Sequence, residues 1–193
     1  TLVDIDAAVL DAARRFFPAC AAGLDDPRTE VHVSDGAAFA AAAAARGDTY
    51  DLVICDSTDC SAAERASGTL YTDAFLVSVA ALVAPGGFFC RNYSSLLWNT
   101  DEAVATLPRY AAHFAYASPF VWMQPTYSSG SYSALLCGGA APSVRDLAAD
   151  AETLGETDYW TPAVHKAAFA LPAFVARRMS PTSPPAPPTS DES

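Results

Sequence analysis

Apolar and polar positions alternate along this chain in two rhythms. From Ala7 to Phe17, the residues Val9, Leu10, Ala13, Phe16 and Phe17 recur every three or four positions and form one face of an amphipathic helix. A strand-length segment, Thr1 to Asp6, precedes it and ends in acid. Pro18 and the Gly-Leu-Asp-Asp-Pro stretch at 23–27 break it. Thr29 to Val33 reads as a short strand closed by the turn Ser34-Asp35-Gly36, and Ala37 to Ala45 is almost pure alanine, the best helix former. Tyr50 to Cys55 is apolar apart from Asp51 and stops at Asp56, which predicts a strand buried on both faces of a parallel sheet.

The rhythm continues in the second half. A helix is expected over Tyr71 to Ala84, closed by Pro85-Gly86-Gly87, with Phe88-Phe89-Cys90 opening the next strand. Asp101 to Tyr116 reads as a helix kinked near Pro108, and Phe120 to Gln124 and Tyr132 to Cys137 as strands close enough to pair antiparallel. Short helices are expected at Val144 to Ala149 and through Ala163 to Arg178. Strands alternating with helices and followed by a late hairpin describe an open α/β sheet. Residues 1–178 are expected to form one domain, and the Pro/Ser-rich stretch 179–193 a disordered tail that cannot bury enough apolar area to order itself.

Composition narrows the partners. Eleven basic against 22 acidic residues give a formal charge of −11. That argues against nucleic acid or an anionic membrane, both of which call for a basic patch, and is compatible with a small cationic substrate. The five cysteines (Cys20, Cys55, Cys60, Cys90 and Cys137) show no CxxC spacing and read as reduced thiols of an intracellular, cytoplasmic protein. His32, His113 and His165 have no metal-ligand spacing, so no metal is expected.

Candidate chemistry sits where the strands end. In open parallel α/β sheets, ligands bind outside the carboxyl ends of the strands. Acids stand at the first three such ends: Asp4 with Asp6, Asp35, and Asp56 with Asp59. An acid at the end of the second strand of such a fold typically takes ribose hydroxyls, and one at the next end can take an adenine amino group. Each acid taken alone reads equally as a helix cap or turn residue, Asp35-Gly36 above all. Three in register describe a Rossmann-like nucleoside-binding domain.

Five segments in order resemble the spermidine synthases, the polyamine aminopropyltransferases. They are Val3-Asp4-Ile5-Asp6; Asp25-Asp26-Pro27-Arg28 leading to Val31-His32-Val33-Ser34-Asp35-Gly36; Tyr50-Asp51-Leu52-Val53-Ile54-Cys55-Asp56-Ser57-Thr58-Asp59; Pro125-Thr126-Tyr127-Ser128-Ser129-Gly130; and Tyr159 to Val175. The resemblance implies a methyltransferase-type open sheet. It also implies transfer of an aminopropyl group from decarboxylated S-adenosylmethionine, as co-substrate, to putrescine or a related cationic amine. By position, Asp4 would hold the ribose, Asp35 and Gly36 would border the adenine, and Asp56 with Ser57 would face the cofactor. Asp56 would also be the general base, while Asp59 and Tyr127 would hold and orient the amine.

The chain also departs from the family. It opens at what resembles the family's second strand, so it is expected to be a piece lacking the first strand, its Gly-rich loop and the N-terminal β domain. A homodimer is what the resemblance implies for a full-length member. Cys60-Ser61-Ala62-Ala63 replaces the family's Pro-x-Gly-Pro, Arg91 stands near a family Gln, and Ser128 replaces a proline. These differences keep two alternatives open, a noncatalytic scaffold of the same lineage and an S-adenosylmethionine-dependent methyltransferase.

Overall fold

The computed structural model describes residues 1–57, 68–93, 95–142 and 147–179. The chain divides into two compact units, Thr1–Phe89 and Cys90–Ser193.

In the first unit, β1 (Leu2–Asp4) and β2 (Val31–Val33) pair in parallel, with Leu2 opposite Val31 and Asp4 opposite Val33. The helix α1 (Ala7–Phe16) and the short α2 (Pro18–Ala21) connect them. The next helix, α3 (Gly36–Arg46), ends at Gly47, whose φ of +80° suits glycine and whose N–H bonds back to the Ala43 and Ala44 carbonyls. After it comes β3 (Tyr50–Cys55), then α4 (Asp73–Leu82), capped by the Thr72 hydroxyl accepting from Phe75 N at 3.2 Å. Helix α4 buries Phe75, Leu76, Val79 and Leu82 along one face and packs against α3. The alanines explain that contact: Ala40 and Ala43 are buried and carry only methyl groups, so the two helices can approach closely.

Strand β4 (Val83–Asn92) begins earlier than the sequence predicts and takes in the Pro85-Gly86-Gly87 stretch read there as a helix stop. Gly87 explains why the stretch fits a strand. A β-carbon there would fall 2.6 Å from the Asp51 carbonyl oxygen, so only glycine lets the two backbones come so close. Strand β3 also departs from expectation. Leu52 and Ile54 are 52% and 64% exposed, whereas Cys55 is buried. Among the described residues α4 packs on β3, and the strand is buried on one face rather than both.

In the second unit, β5 (Tyr116–Met123) and β6 (Ser131–Gly138) form the expected antiparallel hairpin, in unbroken register from Tyr116 opposite Gly138 to Met123 opposite Ser131. The last residues of β4 run beside β6, and Tyr93 N continues this with a 2.8 Å bond to the Ser133 carbonyl. Helix α5 (Thr100–Ala111) is shorter than predicted, because Tyr116 already belongs to β5. Pro108 sits within its last turns. The buried Tyr93 hydroxyl donates to the Ala103 carbonyl of α5, and burial pushes its phenol well above the ordinary range.

Helix α6 (Leu147–Leu154) runs past its predicted end at Ala149, and residues 143–146 are outside the described part. The single helix expected over Ala163 to Arg178 is two, α7 (Pro162–Ala168) and α8 (Ala173–Met179). Pro172 explains the break, since a proline disfavours helical backbone in the residue before it. Val175 of α8 is fully buried, and Arg178 pairs with Asp101 of α5. Of the tail expected at 179–193, Met179 closes α8 and the remainder, from Ser180 onward, lies outside the described residues.

Candidate functional site

The parallel β1–β2 pair assembles the candidate nucleoside edge. Beyond the last paired residues, Ser34 N donates to the Asp4 carbonyl at 2.9 Å, so the ladder runs on to the corner that carries Asp35 and Gly36. Asp4 and the 34–36 corner therefore leave the sheet at the same end, as the sequence predicts.

Each acid at this end is partly used by its own backbone. Asp4 Oδ1 accepts from Asp6 N at 2.8 Å. Asp6 Oδ1 accepts from Ala8 N at 2.8 Å and caps α1. Asp35 Oδ1 accepts from Ala38 N at 2.8 Å and caps α3. The capping reading is thus correct for Asp6 and Asp35. It does not exhaust Asp4 or Asp35, because a carboxylate has about four acceptor positions. Among the described residues nothing bonds Oδ2 of Asp4 or of Asp35, so each presents an acceptor to a hydroxyl or amino group.

Gly36 opens α3 and has a packing reason for being glycine. A β-carbon there would meet Leu70 Cδ2 at 3.3 Å. Asp56 follows β3 directly and is exposed, and Ser57 beside it is half-buried with its Oγ 3.8 Å from Cys55 Sγ. Asp59, the expected second acid of this loop, lies outside the described residues.

Tyr127 belongs to the second unit, in the turn between β5 and β6. It is 51% exposed, and its ring rests on that of Tyr132 with centroids 5.0 Å apart. The turn is tightly bonded: Gln124 N donates to the Gly130 carbonyl at 3.0 Å, Tyr127 N to the Gln124 carbonyl at 3.1 Å, and Gly130 N to the Tyr127 carbonyl at 2.8 Å. Gly130 has a φ of +68°. Ser128 thus stands in a turn whose shape is held by hydrogen bonds in place of a proline ring.

Arg91 and His165 are both engaged within the second unit. Arg91, which stands near the position of a family Gln, is 1% exposed within the second unit. It is close enough to Cys137 to favour the thiolate, against the stronger effect of burial, which with Cys90 pushes that thiol up to about 12. His165 accepts at Nδ1 from Trp160 Nε1 at 3.3 Å and packs on the Phe169 ring, a structural use. No group of three or more His, Cys, Asp or Glu among the described residues is placed to hold a metal. Tyr159, whose hydroxyl reaches the backbone of β5, was not singled out in the sequence, because no local pattern announces a contact between residues so far apart.

Comparison with known proteins adds an independent finding. Residues 1–146 match the sequence profile of the spermine/spermidine synthase domain. Spermidine synthase 1 of Datura stramonium is 32% identical over 186 residues, which cover 91% of this chain and 59% of that protein. Putrescine N-methyltransferase 1 of Nicotiana tabacum is also 32% identical, over 189 residues that cover 92% of this chain and 49% of that protein. A crystal structure of a spermidine synthase in complex with the transition state analogue AdoDATO superposes with a TM-score of 0.81 at 25% identity, covering 92% of this chain and 60% of that one. The chain thus spans about half to three fifths of the length of these relatives.

Proposed function

Because the chain belongs to the family of the spermine/spermidine synthase domain, we propose that it serves polyamine biosynthesis by moving an aminopropyl group from decarboxylated S-adenosylmethionine to putrescine or a related amine. The observation that carries this reading is the common edge of β1 and β2, where Asp4 and Asp35 each keep one carboxylate oxygen available beyond their local backbone bonds. Asp4 takes the ribose hydroxyls. Asp35, at the start of α3 with Gly36, borders the adenine, and Ser57 lies along the cofactor beside Asp56.

The reacting amine must arrive neutral. An alkylammonium has a reference pKa of about 10.4, so freeing its lone pair at pH 7 costs roughly 4.6 kcal/mol. Asp56 and Asp59 draw the cation in, and Asp56 then accepts its proton as general base. The amine nitrogen attacks the carbon bound to the sulfonium. The new C–N bond forms as the C–S bond breaks, and the electron pair returns to sulfur, which leaves as a neutral thioether. Tyr127 holds the nitrogen in line with that carbon, so part of the barrier is met by orientation. The chemistry asks for no metal.

A second reading, N-methyl transfer to putrescine from S-adenosylmethionine, is favoured by the matching identity of the putrescine N-methyltransferases over the same stretch. The acids Asp56 and Asp59 weigh against it, because they would repel the carboxylate that the undecarboxylated cofactor carries. Incubation of the chain with putrescine and each cofactor in turn, with products read by mass spectrometry, separates the two. An aminopropylated product from the decarboxylated cofactor supports the proposal, and an N-methylated product from the other reverses the order. No product from either leaves a noncatalytic scaffold of the same lineage.

A further inference from the structure

The end of β5 is tied to a residue 36 positions further along the chain. Backbone amides along a strand point alternately to its two sides. Gln124 directs its N–H toward β6, where the Gly130 carbonyl receives it. The N–H of Met123 is therefore directed to the other side of β5, which is the last strand in the hydrogen-bonded order. On that outer side the Tyr159 hydroxyl accepts it at 3.1 Å.

The residues around Tyr159 are held by bonds of their own. Gly155, with a φ of +72°, follows α6, and the Thr157 hydroxyl donates to the Trp160 carbonyl at 2.5 Å. Trp160 bonds His165 of α7, and the Thr161 hydroxyl caps α7 by accepting from Val164 N at 3.1 Å. Phe169, just past α7, then packs on Phe120 of β5 with ring centroids 5.5 Å apart. The Tyr159 segment thus returns to the strand that its hydroxyl grips.

The turn that presents Tyr127 starts at the next residue. Two of its three backbone bonds and the 2.7 Å bond from Gln124 Nε2 to Thr126 Oγ1 depend on where Gln124 stands. We infer that Tyr159 is a positioning residue for the amine acceptor: its hydroxyl fixes the outer edge of Met123 and so the Gln124–Gly130 turn that carries Tyr127. The inference rests on the reading of Tyr127 as the side chain that orients the amine.

The test is Tyr159→Phe, which keeps the ring and removes only the acceptor oxygen. Tyr159 is 51% exposed and Met123 71%, so the released amide can turn to water and the fold is retained. In steady-state transfer assays the amine KM rises about threefold to tenfold, the range expected for the loss of one hydrogen bond. The KM for the nucleoside cosubstrate stays constant, and so does the melting temperature. Hydrogen exchange speeds up at the Met123 amide and across the turn. An unchanged amine KM in a chain whose wild type turns over overturns the inference and leaves the proposed function standing. A wild type that aminopropylates no amine overturns that function, and the inference with it.

Discussion

The carbonyl of Asp4 accepts the amide of Ser34 at 2.9 Å, one step beyond the last paired residues of β1 and β2. That bond sets the carboxylates of Asp4 and Asp35 at one end of a parallel strand pair. Both are half-committed, since each uses one oxygen on a nearby backbone amide and presents the other. Stability and the proposed ligand recognition therefore meet in the same side chains and can be separated by choosing the substitution.

Asp35→Ala removes both the cap on α3 and the charge. It is expected to cost about 0.5–2 kcal/mol of stability, read from the urea midpoint. Asp35→Asn keeps a capping oxygen, because Asn caps about as well as Asp, and should leave the midpoint nearly unchanged. Equal destabilisation by the two would show that the charge, rather than the cap, supports α3.

Gly87→Ala places a methyl group 2.6 Å from the Asp51 carbonyl oxygen and 3.0 Å from that of Ala84. Backbone must move to admit it, so a loss of about 1–3 kcal/mol is expected, the usual cost of overpacking. Gly86→Ala meets no atom within 4 Å but must hold a φ of +81°, and should cost about 1 kcal/mol. Chemical denaturation of the two variants checks the order.

Cys137 is fully buried, and its thiol is pushed up to about 12 from an ordinary value of 9.0, first by burial and then by Cys90, with Arg91 opposing. Exposed Cys20 should react with iodoacetamide at pH 8 while Cys137 does not, until denaturant is added. The same shift makes stability depend on pH. The folded state keeps this proton where the unfolded chain loses it, so the contribution is intact below pH 9 and is lost as pH rises toward 12. Tyr93, also raised by burial, acts in the same direction from about pH 10. Cys137→Ala should flatten the fall in denaturant midpoint between pH 9 and 11, and an unchanged slope would count against the burial argument.

Much of this was legible in the sequence because it is local. The apolar run Tyr50 to Cys55 ends where the strand ends, Asp6 and Asp35 cap the helices they precede, and the hairpin follows from two short runs around Pro125 to Gly130. What was missed depends on contacts between distant residues. Nothing near Gly87 says that Asp51 will lie against it, and nothing near Gly36 announces Leu70. The exposure of Leu52 and Ile54 escapes for the same reason, since an apolar run shows what a strand can bury and not what comes to cover it. The break at Pro172 is local, since the proline interrupts a helical rhythm that continues on both sides of it. Of the candidate site, Asp4, Asp35, Gly36, Asp56, Ser57 and Tyr127 lie among the described residues, and the β1–β2 pair brings the first three to one edge.

The proposed function places the nucleoside of a decarboxylated cofactor at the β1–β2 edge. Calorimetric titration of the chain with decarboxylated S-adenosylmethionine and, separately, with S-adenosylmethionine tests it, with Asp35→Asn and Asp56→Asn as companions. Saturable binding that prefers the decarboxylated form and weakens about tenfold or more in each variant is the predicted result, since hydrogen bonds to charged groups are worth about 1.5–3 kcal/mol. Equal binding by the wild type and Asp35→Asn, or binding of neither cofactor, would contradict that placement.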